Sequence, residues 1–457
     1  MGADPDRPLA GHPILTGPGI GRILAVLGAD GTPVRVVGGA VRDALLGQAA
    51  DAGSSLGLPP SGPLGAGSSP GLPPPGLLEA GSSSGLPPVG PLEADLDLAT
   101  PLRPEAVAAR LEAAGIKAVP TGIAHGTVTA VLDGRPFEIT TLRRDVATDG
   151  RHAVVAYTDD FDADAARRDF TINAMSADPS GRVHDPFGGR ADLAAGVVRF
   201  VGEPGRRIAE DYLRVLRFFR FHARFNRGPT DRGALAACAR AAPELRRLSG
   251  ERLRQETLKL LAARDPLPTL RLMEEAGVTA HLLGTPVAHG RLARLVGEGD
   301  GGDALLRLAA LLRPPPAGPE TAVRLAGRFR LSNRERDRLL ALCASPLPQA
   351  GTGERAWRQA IYDHGQATFA DLVRLADADA PWPETARSAA LALAEGWTPP
   401  PPPVQGKDLV ALGIAPGPEL GRRLDAVIAW WRGEDFRPDR EACLDWLRRQ
   451  ASGPAEG

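Results

Sequence analysis

Apolar residues recur along this chain with two different periods. Up to residue 142 the apolar runs are short and β-branched, or alternate with polar residues. A run over 34–38 ends in Gly-Gly and leads into a helix-like stretch from Val41 to Leu46. Residues 95–99 read as a strand, and 104–115 as an amphipathic helix stopping at Gly115. Thr127 to Val131 and Pro136 to Leu142 flank Asp133-Gly134, a turn pair that predicts a hairpin. After Asp162 the period lengthens to that of a helix. It predicts helices over 162–168, 170–176, 206–224, 231–241, 249–263, 266–276, 302–312, 319–345, 354–375 and 383–395. Pro399 to Pro403 reads as a stiff linker, and a last unit runs from Gly406 to about Gln450. The expected fold class is α+β, with a small mixed α/β head followed by a long all-helical body.

One segment fits neither period. Residues 53–66 read GSSLGLPPSGPLGA, 67–80 read GSSPGLPPPGLLEA and 81–94 read GSSSGLPPVGPLEA. Each 14-residue unit is dominated by Gly, Pro and Ser, too poor in large apolar side chains to offset its ordering entropy. The expectation is a slipped duplication forming a disordered surface loop, the rival a Pro-rich docking segment. Without it, Ala52 would run straight into Asp95.

Composition narrows the possibilities. At 457 residues the chain has room for about three domains. Its net charge of -1 excludes a wholly basic nucleic-acid binder. The charge is uneven, however: Arg199 to Asp265 carries 16 basic and 8 acidic residues on a helical stretch, which predicts a basic helical surface. Cys238, Cys343 and Cys443 are too far apart for a zinc site or a disulfide framework, which suits a reducing cytoplasm. The first residues hold no apolar signal region, and no run is long and apolar enough to span a bilayer.

The candidate chemistry is oxygen-rich. Asp95 and Asp97 lie two apart on the predicted strand, so both side chains point to one face. Paired carboxylates of this kind suit Mg²⁺ and, through it, phosphoryl or nucleotidyl transfer. With Phe137 and Ile139 turned to the core, Glu138 faces away and is a candidate third ligand. Gly38 and Gly39 precede a helix, where bare backbone and free N–H groups approach phosphate, and Arg42 is within reach of one. Asp211, Arg214 and Arg217 step by three along one helix face. A carboxylate accepts from the exocyclic amine of cytosine or adenine, and a guanidinium donates to the neighbouring ring nitrogen. Uracil and guanine present the opposite pattern. An Asp/Arg pair therefore offers a way to select C and A without a template.

In order along the chain, GGAVRD, DLDLAT, FEITTLR, RRDFTINA (Arg167 to Ala174), DPFGG with Asp192-Leu193, and EDYLRVLRFFRF resemble the class II tRNA nucleotidyltransferases and the related bacterial poly(A) polymerases. The resemblance covers about residues 34–265, and Gly406 to Trp431 is similar to the tail of a CCA-adding enzyme. It implies a DNA polymerase beta-like palm in the head, followed by helical neck, body and tail. The limits are an N-terminal segment over 1–33, a head over 34–150, a neck over 151–230, a body over 231–398, and linker and tail over 399–457. It also implies Mg²⁺ on Asp95 and Asp97, with Glu138 as third carboxylate. Gly38, Gly39 and Arg42 would contact the triphosphate, and Arg168 and Asp169 the ribose and phosphates. Asp211 and Arg214 would read the base, with Arg217 and Arg220 completing the pocket. The implied partners are CTP, ATP and the 3′ end of tRNA, held by the helical C-terminal parts.

Thr148 to His152 resembles the flexible loop of CCA-adding enzymes, and no long basic tail suited to nonspecific RNA follows the body. CCA addition is the reading these favour. A poly(A) polymerase, an enzyme adding only CC or only A, and a non-catalytic RNA-binding protein stay open. His184-Asp185 belongs to DPFGG, so no His/Asp phosphohydrolase domain is expected. His125 and His152 are expected to be structural.

Overall fold

A computed structural model describes residues 6–51, 96–122, 126–148, 153–287, 289–299, 302–313 and 318–451. The repeat at 53–94, Asp95, His125 and the segment 149–152 lie outside them. The chain divides into two compact units, Met1–Leu248 and Ser249–Gly457.

The first unit is built on a seven-stranded mixed sheet. Its strands are β1 (Arg35–Val37), β2 (Asp97–Thr100), β3 (Lys117–Gly122), β4 (Thr127–Leu132), β5 (Arg135–Thr141), β8 (Ser176–Ala177) and β9 (Val183–His184), in the order β3-β4-β5-β2-β1-β8-β9. β6 (Arg143–Thr148) and β7 (Ala153–Tyr157) form a separate hairpin. β2 and β5 run parallel, and the other neighbours are antiparallel. The β4–β5 hairpin turns at Asp133 and Gly134 with φ of 51° and 76°, the pair of left-handed residues that Asp-Gly supplies. The helix Pro18–Leu27 joins this core: a side chain on Gly19 would sit 2.8 Å from the Phe137 ring, so that helix and β5 pack closely.

Several predicted helices are interrupted. The expected helix over 170–176 is a single 3₁₀ turn, Thr171–Asn173, followed by β8. Its residues are buried and tied sideways: Thr171 N–H donates to the Arg199 carbonyl, and its hydroxyl to Asp192 Oδ2 at 2.6 Å. The expected helix over 206–224 is two, Pro204–Glu210 and Leu213–Phe225. Asp211 breaks it with an extended backbone (φ -157°, ψ 108°), and its carboxylate accepts from Leu213 N–H at 3.1 Å. An Asp gains more by capping a new helix start than by continuing an old helix. The stretch 319–345 divides into Pro319–Arg328 and Asn333–Ala344 at a Ser332/Glu335 capping box. The stretch 354–375 lies within two helices, Glu354–His364 and Gln366–Asp379, separated by Gly365 at φ +79°.

Aromatic rings bind the RRDFTINA segment to the helix Leu213–Phe225. Phe170 lies 4.7 Å from Phe200 and 5.2 Å from Phe221, and Phe200 stacks on Phe218 at 5.8 Å. His222 is buried on that helix and meets the Thr230 hydroxyl at 3.1 Å. Burial pushes its imidazole down to about 4. The unfolded chain takes up this proton near pH 6.5, so the neutral ring's contribution is complete above that pH and is lost as pH falls toward 4. The melting temperature is expected to fall across this window, with His222 supplying up to roughly 3 kcal/mol of the loss. His222→Gln should flatten the slope, and identical slopes in the two proteins would refute the assignment.

The second unit is helical. The helix Ala304–Leu312 is buried along its length, and its one arginine, Arg307, donates to the carbonyls of Leu261 and Ala263 at the end of the helix Gly250–Leu261. The C-terminal helices are stitched to Glu354–His364 within this unit: Arg358 makes a two-pronged pair with Asp435 at 2.8 and 2.9 Å, and Tyr362 packs on Trp431 and Phe436. Residues 399–403 thus connect parts that also touch directly.

Candidate active site

The β2–β5 ladder places two carboxylates side by side. Its parallel register sets Asp97 opposite Glu138. β2 exposes Asp97 and buries Leu98, Ala99 and Thr100, while β5 buries Phe137 and Ile139 and exposes Glu138. Laterally paired residues project to the same face of a sheet, about 4.8 Å apart. Both groups are hard oxygen donors suited to Mg²⁺. Among the described residues no group of three metal-ligating side chains forms, and Asp95, the other expected ligand, lies outside them.

The glycine turn lies beside this pair. β1 runs antiparallel to β2, with Val36 opposite Leu98. The end of β1, where Gly38 follows, therefore adjoins the start of β2, where Asp97 sits. Gly38 has φ +73° and donates its N–H to the Met175 carbonyl at 3.0 Å. A side chain there would lie 2.8 Å from Arg168 Nη1. Gly38 is favoured by its left-handed backbone, and its missing side chain leaves room for the guanidinium beside it. Gly39 begins the helix Gly39–Asp51.

Arg42, expected to reach phosphate, is held by protein partners. It is 5% exposed, donates to Asn173 Oδ1 at 2.6 Å and to Asp43 at 2.8 Å, and stacks over the Phe225 ring at 4.3 Å. Asn173 in turn donates to Asp169 Oδ1 at 3.2 Å, and Asp169 pairs with Arg217 Nε at 2.6 Å. Burial penalises the Asp169 carboxylate, but the Arg217 charge and hydrogen bonds from Asn173, Arg217 and the Phe170 N–H outweigh it and hold the pKa below the ordinary value. A continuous polar chain therefore links the helix after the glycine turn to the helix Leu213–Phe225. Arg220 lies over the Phe221 ring at 4.3 Å, on the same helix as Arg217.

The Asp211 break separates two residues expected on one helical arc. Arg214 donates through Nη1 to Glu210 at 2.6 Å and to the Arg207 carbonyl at 2.7 Å. Glu210 also pairs with Arg207, whose Nη2 donates to the Arg167 and Arg168 carbonyls. Arg207 and Glu210 thus clamp the base-reading candidates to the backbone of the RRD segment. Sequence reasoning passed over both, and over Asn173, although Glu210 stands three and four positions from its two arginines, the spacing of helical ion pairs.

Residues 88–199 match a family model described as "Poly A polymerase head domain", and residues 231–289 one described as "Probable RNA and SrmB- binding site of polymerase A". The chain is 33% identical over 373 residues to the protein named CCA tRNA nucleotidyltransferase 1, mitochondrial, of Mus musculus, covering 78% of this chain and 82% of that protein. It is 30% identical over 385 residues to a CCA-adding enzyme of Geobacillus stearothermophilus, covering 77% and 88%. Its fold is similar to the crystal structure of the Bacillus stearothermophilus CCA-adding enzyme in complex with CTP, with a TM-score of 0.66, 25% identity, and coverage of 94% and 96%.

Proposed function

Because the chain belongs to the class II CCA-adding enzyme family of tRNA nucleotidyltransferases, we propose that the carboxylate pair, the glycine turn and the neck helices form its nucleotide-transfer site. The protein adds C, C and A to the 3′ end of tRNA, with CTP and ATP as donors and no nucleic-acid template. In each step the terminal 3′ oxygen forms a bond to the α-phosphorus of the incoming nucleotide. The bond from that phosphorus to the bridging oxygen breaks, pyrophosphate leaves, and the hydroxyl proton passes to solvent.

The single observation that carries this reading is the lateral pairing of Asp97 with Glu138 beside the Gly38 turn. Asp97 and Glu138, with Asp95, would hold Mg²⁺, which would neutralise charge developing on the phosphate oxygens. Gly38 and Gly39 let backbone approach the triphosphate. Arg168 lies against that turn and would contact the phosphates, while Asp169, which anchors Arg217, would accept from a ribose hydroxyl. Asp211 and Arg214 read the base, with Glu210 steadying the guanidinium. Arg42, steadied by Asn173, would contact the triphosphate. No helix among the described residues is long and apolar enough to cross a membrane, and the buried, unpaired Cys238, Cys343 and Cys443 suit the reducing cytoplasm in which we place the reaction.

The test is incubation with a tRNA lacking its 3′ end, CTP and ATP. Growth by C, C and A followed by arrest is expected. Unlimited A addition would identify a poly(A) polymerase, and binding without growth an RNA-binding protein. Deletion of residues 53–94 is expected to leave addition within about two-fold of the full chain, since a Gly/Pro/Ser-rich sequence so poor in large apolar side chains offers the core little to lose. Loss of activity would show that the repeat does more.

A further inference from the structure

Arg168 is held from two sides. Asp164, on the helix Phe161–Ala166, is 3% exposed. Its Oδ1 accepts Nε and Nη2 of Arg167 at 2.9 and 2.7 Å, and the backbone N–H of Arg143 at 3.2 Å. Its Oδ2 accepts Nη2 of Arg168 at 3.4 Å. Arg143 opens β6, so one buried carboxylate touches two consecutive arginines and the base of the β6–β7 hairpin. On its far side, Arg168 Nη1 reaches the Asn173 carbonyl at 3.4 Å and fills the space beside Gly38.

We propose that Asp164 is a positioning residue for nucleoside triphosphate binding: it fixes Arg168 beside the Gly38–Gly39 turn and ties that placement to the β6–β7 hairpin. This rests on the reading of Arg168 as a nucleotide contact. Two adjacent guanidiniums repel, and a free arginine side chain samples many rotamers. Ordering it before the ligand arrives lowers the cost of binding. The charges also match the task. One carboxylate against two guanidiniums leaves one positive charge unbalanced, facing an anionic substrate. The two contacts differ in tightness as well. Arg167 is gripped at two short distances and Arg168 at one long one. Arg168 can therefore lean toward a phosphate while the Arg167 clamp holds.

The experiment uses the full chain with Asp164→Asn, Arg168→Ala and the double variant. Asparagine keeps the side-chain shape and an oxygen for the Arg143 N–H while removing the charge. Equilibrium binding of CTP and of ATP is measured in the presence of Mg²⁺, with tRNA binding and thermal melts alongside. Asp164→Asn should weaken both nucleotides alike by about tenfold, leave tRNA affinity unchanged, and have no further effect in the Arg168→Ala background. Unchanged nucleotide affinity would overturn the proposal. So would an equal loss in the Arg168→Ala background, because the residue would then act through the fold. If the unaltered protein neither binds CTP nor extends tRNA, the failure belongs to the nucleotide-transfer reading and not to Asp164.

Discussion

Asp97→Ala is expected to lower nucleotide addition by three orders of magnitude or more, on the order of 4 kcal/mol of transition-state stabilisation, while tRNA affinity stays within about two-fold. Asp97 stands exposed at the first position of β2, with the buried Leu98, Ala99 and Thr100 carrying the packing of that strand. Removing its carboxylate therefore leaves that packing intact. The chemistry loses much more, because nucleotidyl transfer depends on charge neutralisation that its paired neighbour, Glu138, cannot supply alone. Single-turnover extension of a 3′-truncated tRNA by CTP, with filter binding in parallel, separates the two effects. Retained extension would sink the assignment of Asp97 to the metal.

Asp211→Asn is expected to cut the preference for CTP over UTP by about 10- to 100-fold. The carboxylate accepts from a base amine and repels the carbonyl oxygen that uracil presents at the same place. An asparagine oxygen can still accept from the Leu213 N–H, so the turn leading into the helix Leu213–Phe225 is kept. The side-chain amide also offers a donor to the wrong base. The measurement is the ratio of kcat/KM for CTP and UTP on one tRNA. An unchanged ratio, with activity intact, would show that Asp211 holds the turn and reads nothing.

Much of the head was legible in the sequence because its signals are local. The Asp133-Gly134 turn fixes the β4–β5 hairpin, and alternation along that hairpin turns Glu138 away from Phe137 and Ile139. The lateral partnership of Asp97 and Glu138 was only a suggestion there, since parallel register is set by the whole sheet. The helix boundaries failed for a similar reason. Apolar period carries straight through Asp211, Leu331 and Gly365, whereas the chain breaks where a carboxylate, a capping box or a left-handed glycine offers the backbone better partners. Arg42 shows the limit for single residues. Its position after two glycines suggests a phosphate contact, but nothing local shows that Asn173, more than a hundred residues away, and the Phe225 ring hold its guanidinium. Glu210 and Arg207 lay in plain helical spacing, but only the structure shows that Arg207 holds the Arg167 and Arg168 carbonyls while Glu210 holds Arg214.

The pairing of β1 with β2 also has a bearing on how the repeat arose. Val36 meets Leu98 across about sixty residues, of which the repeat supplies 42. Lengthening the connection from two copies to three adds only a few tenths of a kcal/mol to the cost of closing it. Gain or loss of one copy by replication slippage would thus be nearly invisible to selection at this point in the chain. Three residues further on it would cut into β2 itself. The duplication sits where the sheet is least able to notice it, and copy number is expected to drift among close relatives while the strands on either side hold their register.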